Sequence, residues 1–230
     1  MEYKAQQLKF PTARILVFAK APVEYQVKTR LIPDIGEKHS TALYQLMLEQ
    51  TIATVTNGQF CNVELCCTPN TSHSFFINLA EKYPVTLTNQ LGSDLGQRML
   101  NAATHSLKTS NSVVIVGTDC LQITEALLGQ VLAGLTNKTS DALITPARDG
   151  GYVLLGLSKL HPDLFTGIDW GTDKVMAQTR NALTKLGWKW QETPVLRDLD
   201  TFADLEHIYQ NEHQYQMSTG VRDLIKSIFN

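Results

Sequence analysis

Ser112-Val113-Val114-Ile115-Val116-Gly117 is the stretch that decides the fold. An unbroken apolar run of this kind suits a strand covered on both faces, at the centre of a parallel sheet. The run empties into Thr118-Asp119-Cys120, and a helical pattern over 124–136 follows. Working back toward the N-terminus, strand and helix patterns alternate. A strand over 85–88 is preceded by a helix over 71–83, a strand over 62–67 and a helix over 37–57, in which Tyr44, Leu48, Ile52 and Val55 share one face. The first strand is the run Ile15-Leu16-Val17-Phe18. Working forward, strands are expected at 142–145, 152–157 and 189–195, and a loop or short helix over 161–171. Helices are expected from Thr172, as cap, to 186, from Thr201 to 211, and around Val221, Leu224, Ile225 and Ile228. Such alternation predicts a three-layer α/β/α fold with a mostly parallel central sheet. It is read as one domain over 1–230, with a loose N-terminus (1–12) and a C-terminal helical appendage (212–230).

Composition narrows the function classes. The 230 residues are 43% hydrophobic and 18% charged, with a net charge of −2. That balance argues against a dedicated nucleic-acid binder. No apolar run approaches the roughly 20 residues that span a bilayer, and residues 1–11 contain no secretory hydrophobic region. A cytoplasmic protein with no membrane partner is expected. The four cysteines include no Cys-x-x-Cys pair, and Cys66 and Cys67 point to opposite faces of a strand. They are read as buried, reduced thiols. The six histidines are scattered.

Against the net negative charge, the loop after the first strand gathers cations. It reads Ala19-Lys20-Ala21-Pro22-Val23-Glu24-Tyr25-Gln26-Val27-Lys28-Thr29-Arg30-Leu31. Open α/β sheets bind ligands beyond such strand ends. Lys20 and Lys28 as point charges and Arg30 as a two-pronged clamp suit a phosphate or diphosphate; the alternative is a solvated basic loop. No Gly-x-Gly-x-x-Gly follows the first strand and no Gly-x-x-x-x-Gly-Lys-[Ser/Thr] occurs, so a Rossmann dehydrogenase and a P-loop NTPase are disfavoured. Asp119, just past the central strand, can hold Mg²⁺ or Mn²⁺, or simply cap the next helix. Asp198 and Asp200 can join it, although Thr201-Phe202-Ala203-Asp204 also fits a capping box. Asp149-Gly150-Gly151-Tyr152 is a turn whose glycines let a ligand approach the backbone, with Asp149 available as a general base or to help hold the cation. The run Gly92 to Arg98 is either a plain N-cap or a second pocket wall, and Trp170 either a pocket wall or core.

These pieces resemble a bacterial family of uncharacterised glycosyltransferases, the DUF2064 type, with the GT-A nucleotide-diphospho-sugar transferase fold and kinship to the cofactor and molybdopterin guanylyltransferases. The resemblance runs from Ile15 to about Ile208. It rests on Phe18-Ala19-Lys20-Ala21-Pro22 with Val27-Lys28-Thr29-Arg30-Leu31, on Asp94-Leu95-Gly96-Gln97-Arg98-Met99, on Gly117-Thr118-Asp119, on Pro146-Ala147-Arg148-Asp149-Gly150-Gly151-Tyr152, and on Asp198-Leu199-Asp200-Thr201. It implies that Ala19, Lys20, Ala21, Lys28, Arg30 and Arg98 grip a nucleotide diphosphate. It implies that Asp119 and Asp200 hold the cation, and that Gly150, Gly151, Tyr152 and Trp170 line the substrate pocket.

The first expectation is therefore a metal-dependent glycosyltransferase with Asp119 and Asp149 as catalytic groups, a nucleotide-sugar donor and a small-molecule acceptor. The alternatives are a nucleotidyltransferase joining an NTP to a phosphorylated acceptor, and a non-catalytic nucleotide-binding protein. The last is motivated by Glu24 in the basic loop and Leu121-Gln122 after Asp119. Nucleobase, sugar, acceptor and oligomeric state stay open.

Overall fold

The structure, a computed structural model, describes residues 7–230. The N-terminal segment expected to be loose therefore lies partly outside the described residues. Of its remainder, Lys9 and Phe10 donate their N–H groups to the carbonyls of Gln59 and Phe60 at 3.1 and 2.6 Å.

Seven strands form one sheet: β1 Ala13–Lys20, β2 Asn62–Thr68, β3 Val85–Asn89, β4 Ser112–Val116, β5 Ala142–Pro146, β6 Tyr152–Leu157 and β7 Trp190–Glu192. Their order is β3-β2-β1-β4-β6-β5-β7. Only β6 runs against the rest, antiparallel to both β4 and β5. β4 is central and buried throughout, as its apolar run predicts, but just one of its neighbours, β1, is parallel to it. The reason is local: Ala147 to Gly151 turn the chain straight back into β6, and a hairpin needs no crossover helix.

The described residues form seven α-helices, α1 Ile32–Asn57, α2 Ser74–Lys82, α3 Leu95–Ser106, α4 Glu125–Thr136, α5 Val175–Lys185, α6 Phe202–Gln210 and α7 Thr219–Phe229, of which the first five pack on the sheet. Alternation along β1 sends Ile15 and Val17 into the layer built by α1, α2 and α4, and Leu16 into the layer of α3 and α5. Cys67 and Cys66 split the same way, and all four cysteines are free and buried. Burial pushes each thiol up to about 12, so each is a protonated thiol near neutral pH. A third cluster joins Leu43 and Met47 of α1 to Leu205, Ile208, Val221 and Ile225 of α6 and α7.

Several boundaries differ from the sequence expectation. α1 begins one turn early, at Ile32 with Pro33 in its first turn, and breaks at Gly36, where φ is 77°. α2 starts at Ser74 because the His73 ring accepts from the Phe75 N–H. Thr172 does not cap α5, which starts at Val175; its hydroxyl instead donates to the Asp169 carbonyl at 2.7 Å. The Thr201–Asp204 capping box of α6 is present in full.

Candidate active site

Two cavities lie side by side beyond the carboxyl ends of β1, β4 and β5, of about 300 and 390 Å³. Both are walled by Phe18, Leu95, Thr118 and Asp119, so Asp119 stands at their junction. The smaller holds Lys20, Lys28, Arg98, Gln26, Gln90 and Asp200. The larger holds Asp149, Asp198, Gly151, Tyr152, Met99 and Trp170.

Internal hydrogen bonds hold the basic loop. Tyr44, from α1, clamps its root: the phenol accepts from the Lys20 N–H at 2.8 Å and donates to the Lys20 carbonyl at 3.0 Å. Burial, with Asp119 nearby, pushes that phenol far above its ordinary value. Ala21 N–H donates to the Thr68 carbonyl at 2.7 Å, and Lys20 Nζ to the Gln26 carbonyl at 2.8 Å. Tyr25 and Lys28 both take left-handed backbone angles, φ 63° and 46°. Lys28 then turns inward. Its side chain is only 2% exposed, and its ammonium donates to the Leu199 carbonyl and pairs with the Asp119 carboxylate. Leu199 N–H in turn donates to the Asp119 carbonyl at 2.8 Å, so residues far apart in sequence are tied at one point.

The acid run reaches the larger cavity by extending the sheet. Leu196 N–H donates to the Pro146 carbonyl and Arg148 N–H to the Leu196 carbonyl, so 196–198 continue beside the end of β5. That register sets Asp198 level with Asp149. Burial, reinforced by the charge of Asp149, raises the Asp198 carboxyl to about 6. Asp149 accepts from the Gly151 N–H at 2.8 Å. Gly150 sits at φ 90° with the Asp173 backbone so close that a Cβ would lie 2.3 Å from its carbonyl oxygen. It shapes the turn rather than lining the cavity. Across the cavity, Tyr152 and Trp170 meet edge to face, with ring centroids 6.4 Å apart. Trp170 is seated on α3, where a Cβ on Gly96 would fall 2.5 Å from its Nε1.

Most of the expected residues thus converge. Ala19, Lys20, Lys28, Arg98, Asp119 and Asp200 border the cationic cavity; Asp149, Gly151, Tyr152 and Trp170 border the acidic one. Ala21 is buried beside them. Arg30 stands outside both cavities, its guanidinium 2.9 Å from Asp200 on the exposed rim. Glu24 lines neither cavity, Leu121 packs in the third core cluster, and Gln122 accepts from the Arg197 N–H at 2.9 Å. The residues missed are Gln90, whose amide donates to the carbonyls of Ala19 and Cys66, and Tyr44, the loop clamp. Neither carries a sequence signal, since a helix-face tyrosine and a strand-end glutamine look ordinary. Asp198 was legible from its two-residue spacing to Asp200, yet only the latter was placed in the site.

Among the described residues, no three His, Cys, Asp or Glu side chains form a metal cage. Mg²⁺ and Mn²⁺ in nucleotide sites need no such cage, since one or two carboxylates and substrate phosphates suffice. Asp119, half-exposed and open to both cavities, with the 198–200 run tied to its main chain, fits that kind of shared coordination.

The sheet order and this rim define the class: the chain has the nucleotide-diphospho-sugar transferase fold, GT-A-like. It belongs to the family described as "Uncharacterized protein conserved in bacteria (DUF2064)", which matches residues 51–172. A Desulfovibrio desulfuricans G20 structure, provisionally named a nucleotide-diphospho-sugar transferase, superposes with a TM-score of 0.83 at 26% identity, covering 95% of each chain. A cytidylyltransferase from Leptospira borgpetersenii (TM-score 0.56, 20% identity, 95% of this chain and 94% of that one) shares the fold. So does a mannosyltransferase from Pyrobaculum calidifontis, solved with GDP-Man and Mn²⁺ (TM-score 0.55, 13% identity, 95% and 69%). No curated protein matches the chain. Among the described residues no helix is long and apolar enough to cross a membrane.

Proposed function

We propose that this chain is a glycosyltransferase that takes a sugar from a nucleotide-diphospho-sugar and passes it to a hydroxyl of a small acceptor. The observation that carries the reading is Asp119 standing between a cationic and an acidic cavity. The likeness to a nucleotide-diphospho-sugar transferase over the whole chain supports it. Lys20, Lys28 and Arg98 bind the diphosphate in the cationic cavity. Asp119, with Asp200 on the cationic side, would hold a divalent cation, which would supply charge compensation for the departing diphosphate. Lys28 orients Asp119 and lends its remaining N–H to a phosphate oxygen. Asp149 takes the acceptor hydroxyl proton as the acceptor oxygen bonds to the anomeric carbon. The bond from that carbon to the diphosphate oxygen breaks, and the nucleoside diphosphate leaves with the electron pair.

The test incubates the protein with a panel of labelled nucleotide-sugars, Mn²⁺ and a mixed acceptor extract. Release of nucleoside diphosphate together with sugar transfer is expected, lost in Asp119→Asn while the fold, read by circular dichroism, is kept. Pyrophosphate release from an NTP, with no sugar transfer, would establish nucleotidyl transfer instead. Full activity of Asp119→Asn at low metal would remove Asp119 from the cation site.

A further inference from the structure

We propose that the acidic cavity admits only uncharged or positively charged groups with an apolar face, such as neutral or amino sugars, and excludes phosphate esters and carboxylates. The inference deepens the glycosyl reading, and its nucleotide half is tested separately below. Charge at the rim is divided between the two cavities. Lys20, Lys28 and Arg98 border the smaller; no Lys, Arg or His borders the larger. The larger has three carboxylates. Asp119 is paired with Lys28, which reaches it from the cationic side. Asp149 and Asp198 both line this cavity and have no ion-pair partner among the described residues.

An anion placed there meets two uncompensated negative charges and no cationic donor. A hydroxyl or ammonium group, by contrast, donates to those same oxygens. The rest of the wall has the shape of a sugar site. Trp170 and Tyr152 present aromatic surface, and Met99 and Val153 supply apolar contact for the C–H face of a ring. At about 390 Å³ the cavity lies at the small end of ligand sites, suited to a single ring and the group it reacts with. A phosphorylated acceptor, which nucleotidyl transfer would require, has no Lys, Arg or His side chain to receive it here.

The test uses four hexoses that differ in charge: glucose, glucosamine, glucose 6-phosphate and glucuronate. Trp170 emission is followed in a Trp188→Phe/Trp190→Phe background, near neutral pH, with each sugar up to about 100 mM. Ligand-observed NMR on the unaltered chain repeats the ranking if that background folds poorly. Glucose or glucosamine should bind at least about tenfold more tightly than both anionic sugars. The gap should narrow in Asp149→Asn/Asp198→Asn, where the repulsion is gone. Equal or tighter binding of glucose 6-phosphate overturns the proposal, and so does silence from all four sugars. Calorimetry with a nucleoside diphosphate and Mn²⁺ reads the other cavity: failure there, with sugar binding intact, would remove the nucleotide reading alone.

Discussion

Lys28 carries three N–H donors, and two are already used, on the Leu199 carbonyl and the Asp119 carboxylate. Its first role is therefore to lock three distant segments together, which no exposed phosphate-binding lysine needs to do. Lys28→Met leaves a buried carbonyl without its donor and a carboxylate without its charge. A loss of about 1–3 kcal/mol in urea unfolding is expected, along with weakened nucleotide binding. Unchanged stability would mean that the lock contributes nothing. Arginine is no substitute, because its flat fork does not fit the compact space that one ammonium fills.

At the scale of single elements, α6 is held at its start by Asp204. Burial alone would raise this carboxyl. The hydroxyl and N–H of Thr201, the Arg197 guanidinium and the Asp200 N–H outweigh that and hold it below the usual carboxylate range. Its contribution is thus complete above about pH 4 and fades as pH falls through the lowered native value. Thermal melts should show Asp204→Asn clearly below the parent at neutral pH, with the two converging in acid; a constant gap would refute the assignment. α3 makes a different demand. Gly96→Ala puts a Cβ 2.5 Å from Trp170 Nε1 and 2.8 Å from the Phe165 carbonyl. Displaced Trp170 emission and a loss of about 1–3 kcal/mol are expected.

Elements of this kind explain what could be read in advance. Strand ends and charge made Asp119, Lys28 and Asp149 legible, and the capping box announced α6 residue by residue. Orientation was not legible. β6 looks like any buried strand, and only the short Ala147–Gly151 turn betrays its reversal. Arg30 looks as good a phosphate clamp as Lys28, yet it pairs outward with Asp200 while Lys28 turns in. The left-handed angle at Lys28, which no pattern in the sequence predicts, accompanies that inward turn. Thr172 fits a cap by type, but its hydroxyl accepts from the Lys174 N–H, at 3.3 Å, ahead of a helix that starts only at Val175.

In the molecule as a whole, the third core cluster makes α7 part of the support for the site. Val221 and Ile225 are fully buried against α1 and α6, and Phe229 stacks on Tyr209 with centroids 4.3 Å apart. The same cluster contains Leu199, between the two acids of the rim. Ending the chain after Ser218 should cost about 3–6 kcal/mol, from the two buried aliphatic side chains, read by urea unfolding. Nucleotide binding should weaken with it as the 198–200 run loosens. An unaffected midpoint would make α7 a true appendage.

β6 carries one more consequence. β5 hands over to it through a few residues, with no crossover helix between the two strands. The turn is nonetheless tied to a helix, since the Met176 N–H of α5 donates to the Gly150 carbonyl at 2.8 Å. Lengthening that turn should therefore unseat the start of α5 along with the hairpin.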